Sequence, residues 1–402
     1  MCSIKSLQDF TMFVFLVFFL LPLTPLVSHA QSTTPGWFEI PNTKLRSVCP
    51  NFDEIRGTEG CSAVTADWSS GALDVKRNRL IVWGGGHNGY YGNEIYAVDL
   101  NNLSVYRITD PGLPPAPYSC TEETPNCVWN SQSRLGCLDA IVDGTQPNSR
   151  HTYDGIAYMA NVDRLFAFGG SLACGLGEFG QDTWTFDFTT NKWERMIPQG
   201  PLPRRGPGTV TAYDPNTQKV YLYDLKFLHT YDFSSNTYER FEESSVYAPS
   251  YHMTGVIDPN RKKFVMMGNQ EAYIIDISPS NVHETHKLIT TGGDTIINSA
   301  YPGLTYDPVL DRIVAWNGGD TVYLLNLDTN QWTPVSAPGA PTAMANGTYK
   351  RWSYVPALGA IIVVNSISSN AYLFRLGDSI PPASPTPTTG LPSPPTSLQV
   401  MQ

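Results

Sequence analysis

The chain has 402 residues, a formal net charge of −10 and 15% charged residues, and it contains no block of basic residues. This balance argues against nucleic acid as a partner, although local arginines could still bind an acidic polysaccharide. Glycine (33), proline (32) and tyrosine (21) are abundant, which favours many short strands joined by tight turns.

The first 30 residues have the features of a secretory signal peptide. Lys5 precedes an apolar run at 12–21, and Ser28 and Ala30 place small residues at the two positions that a signal peptidase reads. The run is shorter than the roughly 20 residues that a membrane-spanning helix needs. We therefore predict a secreted protein with no membrane partner, and we exclude residues 1–30 from the fold.

Six cysteines remain once Cys2 leaves with the signal peptide. An even number of cysteines in an exported chain predicts disulfide bonds, but it does not determine which residues pair. Proximity along the chain favours the pairs Cys49–Cys61, Cys120–Cys127 and Cys137–Cys174.

A unit of four short strands recurs six times between residues 36 and 376. The second strand of each unit is an apolar run that ends in small or polar residues, and the six runs are 79–85, 164–170, 219–223, 263–268, 312–318 and 360–364. The third strands are 94–99, 183–187, 228–232, 272–276, 322–326 and 371–374. Four strands in roughly 40–50 residues are typical of one blade of a β-propeller.

The sixth unit lacks its outer strand, because the chain becomes proline-rich soon after Phe374. The segment 36–40 resembles the outer strands of the other units. We expect it to pair with the last blade, which would close the ring and remove the exposed strand edges. A seventh, degenerate blade at 109–149 remains an alternative.

The Gly-Gly pairs at 84–85 and 169–170, together with the regularly spaced aromatic residues, resemble the kelch family. This resemblance implies an all-β, kelch-like β-propeller. It says little about activity, because propellers carry many functions. We assign the propeller domain to residues 31–378 and interpret the Pro/Ser/Thr-rich segment 379–402 as a tail or linker.

In a propeller, the loops between the second and third strands share one face with the segments that lead into the innermost strands, which we call the lead-in segments. The loop 84–93 of the first blade is rich in glycine and presents His87, Asn88 and Tyr91 on this face. It is not a phosphate-binding loop, since no Gly-Lys-Ser/Thr ends it. A purely structural loop, in which His87 bonds to backbone, remains the alternative.

The lead-in segments bring arginine, histidine and tyrosine to one level around the propeller axis. These residues are Arg150, His151 and Tyr153 in the second blade, Arg204 and Arg205 in the third, Tyr251 and His252 in the fourth, Tyr301 in the fifth, and Tyr349 and Arg351 in the sixth. Polar residues at this level could instead serve only to hydrogen-bond neighbouring blades to one another.

This set of side chains suits β-elimination of a uronic-acid polysaccharide. An arginine would neutralise the uronate carboxylate, and histidine or tyrosine would remove the C5 proton and protonate the leaving glycosidic oxygen. The predicted catalytic residues are His87, His151 and Tyr153. The predicted substrate-binding residues are Asn88, Tyr91, Arg150, Arg205, Tyr251, His252, Tyr301 and Arg351. Either Arg150 or Arg205 would hold the carboxylate.

A propeller, a secretion signal, and His87 followed one blade later by 150–153 resemble the propeller-type ulvan lyases. The resemblance implies a secreted polysaccharide lyase that uses histidine, tyrosine and arginine in a cleft. An acidic polysaccharide would be its partner and no cofactor would be required. A calcium or zinc ion bound for structural reasons remains an alternative. We expect a monomer, and we predict no metal in the catalytic site.

Two functions of other classes stay open. Tyr251 and His252 resemble the adjacent Tyr-His copper ligands of the copper-radical oxidases of the galactose oxidase kind. Tyr301 and either His87 or His151 could complete such a site. That family also cross-links a cysteine to a tyrosine, which full disulfide pairing would prevent. The other alternative is a non-catalytic propeller that binds a glycan or a protein.

The segment 109–149 lies between the first two blades on the same face. It carries three cysteines and Trp129, and a loop this long in a compact domain is usually functional. We interpret it as a disulfide-stiffened wall of the substrate groove.

Overall fold

The computed structural model describes residues 35–51, 55–113, 115–117, 119–175, 177–241, 252–279 and 283–377. Within these residues, six four-stranded antiparallel sheets form the blades of a β-propeller. The predicted fold class and the count of six blades are therefore confirmed.

The N-terminal half contains the closing strand, the first two blades and the insertion between them. The closing strand is β1 (Gly36–Ile40), and the first blade consists of β2 (Gly71–Asp74), β3 (Arg79–Val82), β4 (Tyr96–Asp99) and β5 (Ser104–Arg107). The insertion forms the hairpin of β6 (Cys127–Asn130) and β7 (Leu135–Leu138). The short strand β8 (Arg150–His151) precedes β9 (Ile156–Met159), β10 (Arg164–Phe168), β11 (Ser171–Leu172), β12 (Thr183–Asp187) and β13 (Lys192–Met196). Strands β8 and β11 pair with each other, and the other four form the second blade.

The remaining four blades follow in chain order. The third is β14 (Val210–Asp214), β15 (Lys219–Tyr223), β16 (Leu228–Asp232) and β17 (Thr237–Arg240), and the fourth is β18 (Thr254–Asp258), β19 (Lys263–Gly268), β20 (Glu271–Asp276) and β21 (Thr285–Lys287). The fifth is β22 (Gly303–Asp307), β23 (Arg312–Trp316), β24 (Thr321–Asn326) and β25 (Gln331–Ser336), and the sixth contains β26 (Trp352–Val355), β27 (Ala360–Val363) and β28 (Ala371–Arg375). The short helices are α1 (Ala63–Ala66), α2 (Asp294–Ile297) and the 3₁₀ turns Leu45–Val48, Gly60–Ser62, Tyr349–Arg351 and Pro356–Leu358.

Strand β1 closes the ring as the outer strand of the sixth blade. It pairs antiparallel with β28, from Gly36 opposite Arg375 to Ile40 opposite Ala371. Around the axis, the innermost strand β2 contacts both β9 and β26, so the first blade packs against the second and the last. Among its described residues, the insertion supplies only the two-stranded sheet of β6 and β7, so the alternative of a seventh blade is wrong.

Aromatic packing holds the closing strand between the last two blades. The Trp37 ring lies 5.4 Å from Trp316, 5.8 Å from Trp352 and 4.7 Å from Phe374, measured between ring centroids. All four side chains belong to one buried cluster. Burial of such large apolar rings is among the strongest contributions to a core, so β1 is anchored by side chains as well as by its strand pairing.

The three predicted disulfides are confirmed as Cys49–Cys61, Cys120–Cys127 and Cys137–Cys174. The last of these joins the insertion to the loop that follows β11. Within the described ranges, no helix has the length and apolar character to cross a membrane.

A buried ion pair crosses the propeller axis above a cavity of about 320 Å³ that is lined by the innermost strands of all six blades. Lys350 Nζ lies 2.8 Å from Asp154 Oδ1 and also donates to the Thr211 carbonyl. Asp154 Oδ2 accepts the Gly255 N–H at 2.9 Å. Burial raises the pKa of Asp154 to about 6, against the opposing effect of the Lys350 charge. Side chains from the second and sixth blades thereby link four blades at the axis.

Candidate functional site

An open cleft of about 550 Å³ lies on the face formed by the lead-in segments and the loop of the first blade. Its walls are Trp68, His87, His151, Tyr153, Ser171, Gly177, Phe179, Pro207 and Tyr301. This size lies within the range of about 300–1,000 Å³ that is usual for small-molecule sites. Four of the predicted site residues meet here, although six different stretches of sequence supply the wall.

His87 reaches the cleft because its loop is held by the neighbouring blade. The His87 carbonyl accepts N–H groups from Cys174 at 3.1 Å and Gly175 at 3.2 Å, and Cys174 is fixed by its disulfide. A Cβ on Gly86 would lie 2.3 Å from the His151 nitrogen, so only glycine permits this approach. The imidazole of His87 makes no hydrogen bond to the described residues, and solvent reaches it.

His151 forms the inner wall of the cleft beside His87. It belongs to β8, opposite Ser171 of β11. Its ring is stacked with that of His87 at 5.7 Å and lies 5.2 Å from Trp68. His151 Nε2 is 3.8 Å from Asp67 Oδ2, which is beyond hydrogen-bond distance but close enough for strong electrostatic interaction.

The surroundings of His87 favour its neutral form. Partial burial lowers the pKa of His87 below 6.5, the nearby His151 lowers it further, and Asp67 opposes both effects. At neutral pH the imidazole therefore has a free lone pair with which to accept a proton.

We expect an NMR titration to give His87 a pKa below 6.5, and His151→Asn to move it upward because the electrostatic effect of His151, which lowers the pKa of His87, is lost. The signal is assigned by its absence in a His87 variant. If His87 accepts the proton in the reaction, the wild type should therefore keep its activity to a lower pH than His151→Asn does. An unchanged or lower value in the variant would contradict this electrostatic account.

Three lead-in tyrosines adopt the left-handed backbone conformation, with φ of 48° at Tyr153, 54° at Tyr301 and 49° at Tyr349. Such angles are rare for bulky residues and tend to occur at functional sites. The Tyr153 N–H donates to the Trp68 carbonyl at 2.7 Å, and the Tyr301 N–H donates to the His252 carbonyl at 2.9 Å. These bonds join neighbouring blades and fix the tyrosine backbones at the rim of the axis.

His252 lies behind Tyr301. The two rings are 4.7 Å apart in an edge-to-face arrangement, and burial lowers the pKa of His252. The adjacent Tyr251 lies outside the described residues.

Two of the predicted substrate-binding arginines are buried. Arg150 pairs with buried Asp182 at 2.9 Å, and its other N–H groups donate to backbone carbonyls. Arg351 donates to the carbonyls of four residues, namely Ser69, Gly347, Val364 and Asn365. Burial lowers the pKa of Arg351 to about 10. The expectation that these two arginines contact substrate is thus at odds with the structure, in which both join segments of the protein.

The other predicted residues divide by exposure. Asn88 and Arg205 are exposed, whereas Tyr91 is buried. Arg205 lies two residues before Pro207 of the cleft wall. The preceding backbone is fixed, because the Arg204 N–H donates to Asp224 Oδ2 at 2.9 Å. Among the arginines predicted to bind substrate, Arg205 is the one whose side chain is available to a ligand.

Sequence reasoning missed Trp68 and Asp67. Trp68 stands three residues before β2, as Tyr153 stands three residues before β9 and Tyr349 three residues before β26. Aligning the lead-in segments blade by blade would have found Trp68. Asp67 has no comparable signal, because its proximity to His151 arises only from the packing of the first two blades.

The insertion supports the cleft from behind, and no described residue of it lines the cavity. Asn130 of the hairpin donates to Glu178 Oε1 at 3.0 Å, beside the cleft residues Gly177 and Phe179. The Cys137–Cys174 disulfide anchors the same loop. The insertion was predicted to form the wall of the groove. It instead supports the loop that carries Gly177 and Phe179, and that loop forms part of the wall.

Comparison with known proteins adds no family assignment. No family model matches the chain, and no curated protein is detectably similar to it. The β-propeller rests on the structure, whereas the resemblances to the kelch family and to ulvan lyases stay predictions from sequence.

Proposed function

We propose that the protein is a secreted lyase that cleaves a uronic-acid polysaccharide by β-elimination. The observation that carries the proposal is the meeting of His87, His151 and Tyr153 at one open cleft. The three disulfides agree with secretion, since such bonds persist mainly in oxidising compartments. Propellers serve many functions, so the argument depends on the site and not on the fold.

His87 is the proposed base and Tyr153 the proposed acid. Neutral His87 takes the C5 proton of the uronate, and the electron pair forms the C4=C5 double bond as the bond from C4 to the glycosidic oxygen breaks. The Tyr153 hydroxyl donates its proton to that oxygen, which leaves as the hydroxyl of the departing chain. Proton exchange with solvent then restores both residues.

Arg205 is the proposed partner of the uronate carboxylate. A guanidinium can bind a carboxylate through two parallel hydrogen bonds, which makes the C5 proton more acidic by withdrawing negative charge. Arg205 is exposed and forms no ion pair with the described residues. Its segment is braced against the cleft loop, because Gln181 donates to the Pro203 carbonyl at 2.8 Å.

The proposal is tested by incubating purified protein with uronic-acid polysaccharides, ulvan first, and following the near-ultraviolet absorbance of the unsaturated product. We expect Arg205→Ala to lower kcat/KM by about 10–100-fold, from loss of a charge-assisted pair. Arg134→Ala, at an exposed turn of the insertion hairpin, is the matched control and should react like the wild type. A flat trace across the whole panel with folded protein would rule out the lyase for those substrates.

A non-catalytic glycan-binding propeller is the second candidate. The aromatic wall of Trp68, Tyr153 and Tyr301 favours it, since aromatic faces suit sugar rings with or without turnover. Saccharide binding without any absorbance change would select this function. The copper-radical oxidase is disfavoured, because all six cysteines after Cys2 are in disulfides and no thiol remains among them for a Cys–Tyr cross-link.

A further inference from the structure

The axial cavity beneath the pair of Lys350 and Asp154 has its own opening, away from the cleft. Val75, Ala160 and Pro215 line its outer end. Each of these residues directly follows an innermost strand, in the turn to the next strand of its blade. The opening therefore lies on the face opposite the lead-in segments. Among the residues that the structure describes, none lines both this cavity and the cleft.

Small side chains keep the axis open at one level of the propeller. Two residues before its last residue, each innermost strand has a side chain no larger than that of valine, and all six of these side chains line the cavity: Ala72, Ala157, Ala212, Val256, Thr305 and Ser353. A dry cavity of about 150 Å³ is large enough to hold benzene. The axial cavity of about 320 Å³ therefore has room for a short aliphatic molecule.

A cation closes the inner end of the cavity. The Lys350 amine pairs with Asp154 and donates to the Thr211 carbonyl, yet of these three residues only Lys350 lines the cavity. The Lys350 side chain is 15% exposed, whereas that of Asp154 is fully buried. Within the described part of the chain, Lys350 is the one charged residue of the cavity wall. An apolar cavity with a cation at its closed end favours a ligand that has an apolar body and an anionic head.

An anionic head at this position competes with Asp154 for Lys350. Two buried carboxylates beside one ammonium group would leave a negative charge without a partner, which is costly away from water. Burial already raises the pKa of Asp154 to about 6. When the anion binds and Asp154 takes up a proton, the buried end of the cavity stays electrically neutral.

The tyrosines near the pair do not supply this proton exchange. Tyr349 directly precedes Lys350, and Tyr158 and Tyr213 belong to the cavity wall. Burial raises the pKa of all three above that of an ordinary tyrosine, so they stay neutral at physiological pH. Strands β14 and β18 present only backbone N–H groups to Asp154 Oδ2 among the described residues. Asp154 is therefore the group whose protonation responds to an anion on Lys350.

We propose that the axial cavity binds a small aliphatic carboxylic acid, with its chain against the small side chains of the innermost strands and its carboxylate on Lys350. Asp154 gives up its pairing with Lys350 and takes up one proton as the anion binds. The site is distinct from the cleft, so it does not depend on the proposed lyase activity.

The test compares three probes that have the same number of carbon atoms and different head groups: hexanoate, hexan-1-ol and hexylammonium. Each is titrated into the intact protein, and amide chemical shifts report both the affinity and the location of binding. We expect hexanoate to bind at least about tenfold more tightly than hexylammonium, because of the Lys350 charge, and to shift the amides of the innermost strands. Its affinity should fall as the pH rises from about 6 to about 8, by up to about tenfold per pH unit, the limit for uptake of one proton.

Variants at the pair separate the cation from the carboxylate that competes for it. Asp154→Asn should bind hexanoate several-fold more tightly than the wild type does at neutral pH, because the competitor for Lys350 is gone. The double variant Lys350→Met, Asp154→Asn should lose about tenfold of the affinity for hexanoate and keep that for hexan-1-ol. Asp276→Asn is the matched control, because its carboxylate pairs with Lys263 in the half-exposed pair of the fourth blade, and it should bind hexanoate like the wild type.

Filling the cavity tests the place of the chain. Ala157→Leu should weaken the binding of hexanoate and of hexan-1-ol alike, whereas Ala345→Leu adds the same atoms at an exposed loop position and should weaken neither. Unfolding midpoints establish that each variant is folded. The head groups and Asp154→Asn decide the outcome even where Ala157→Leu does not fold.

Four results would overturn the axial site. They are no binding of hexanoate, equal binding of hexanoate and hexylammonium, chemical-shift changes confined to the cleft, and a hexanoate affinity of Asp154→Asn that is equal to or weaker than that of the wild type. None of these results bears on elimination at the cleft, which is followed separately by near-ultraviolet absorbance.

Discussion

Replacement of His87 by asparagine is expected to lower the kcat of elimination by about 10²–10⁴-fold, the contribution of a positioned general base. Asparagine is preferred to alanine because His87 has φ of 47° and asparagine tolerates left-handed backbone. The loss is expected because a neutral imidazole with a lowered pKa stands at the cleft and the amide of asparagine cannot take its proton. Initial rates are measured by near-ultraviolet absorbance.

The matched control for this variant is His286→Asn. His286 lies in the outer strand β21 with a side chain that is 64% exposed, so its loss should not change kcat. Unfolding midpoints of both variants establish that the fold is retained. A folded His87→Asn protein that keeps the rate of the wild type would show that another residue takes the proton.

Lys350→Met is expected to lower the free energy of unfolding by about 3–5 kcal/mol at neutral pH, the typical effect of breaking a buried ion pair. Asp154 is fully buried, so without Lys350 it must either hold an uncompensated charge at the axis or take up a proton at a pH where the wild type needs none. The loss of unfolding free energy in Lys350→Met should become smaller as the pH falls. The pKa of Asp154 is already raised to about 6, and loss of Lys350 would raise this pKa further. Protonation then removes the unpaired charge without the lysine. Denaturant unfolding at neutral and at acidic pH measures both effects.

Two further variants keep this prediction specific. Lys263→Met breaks the pair with Asp276, whose two side chains are 30% and 31% exposed, and should lower stability by less than about 1 kcal/mol. Adding Asp154→Asn to Lys350→Met should restore part of the lost unfolding free energy, because the double variant no longer has a buried carboxylate without a partner. Equal effects of the two lysine variants would argue against a special role for the axial pair.

The propeller could be predicted from sequence because its signals are local. Each blade repeats the same short apolar strands at similar spacing, so the strand count and the closure by 36–40 follow from pattern alone. The disulfides were equally accessible, because each joins neighbours among the six cysteines in chain order. The insertion at 109–149 has no such repeat, and its bracing role appeared only in the structure.

The candidate site was predictable by its level on the propeller but not by its individual side chains. Topology alone placed His87, His151, Tyr153 and Tyr301 on one face, and the structure brings them to one cleft. The exposure of the arginines could not be predicted in this way, because residue type does not show whether a side chain turns toward solvent or between blades.

The sequence by itself therefore determined the repeating architecture, the closure of the ring and the face that carries the unusual residues, because all three depend on patterns within one unit. Only the tertiary structure decided which polar groups are available to a ligand. Arg150 is neutralised by Asp182, 32 residues away, and Arg351 donates to the Ser69 carbonyl, 282 residues away. Burial depends on such distant partners, and folding alone brings them together.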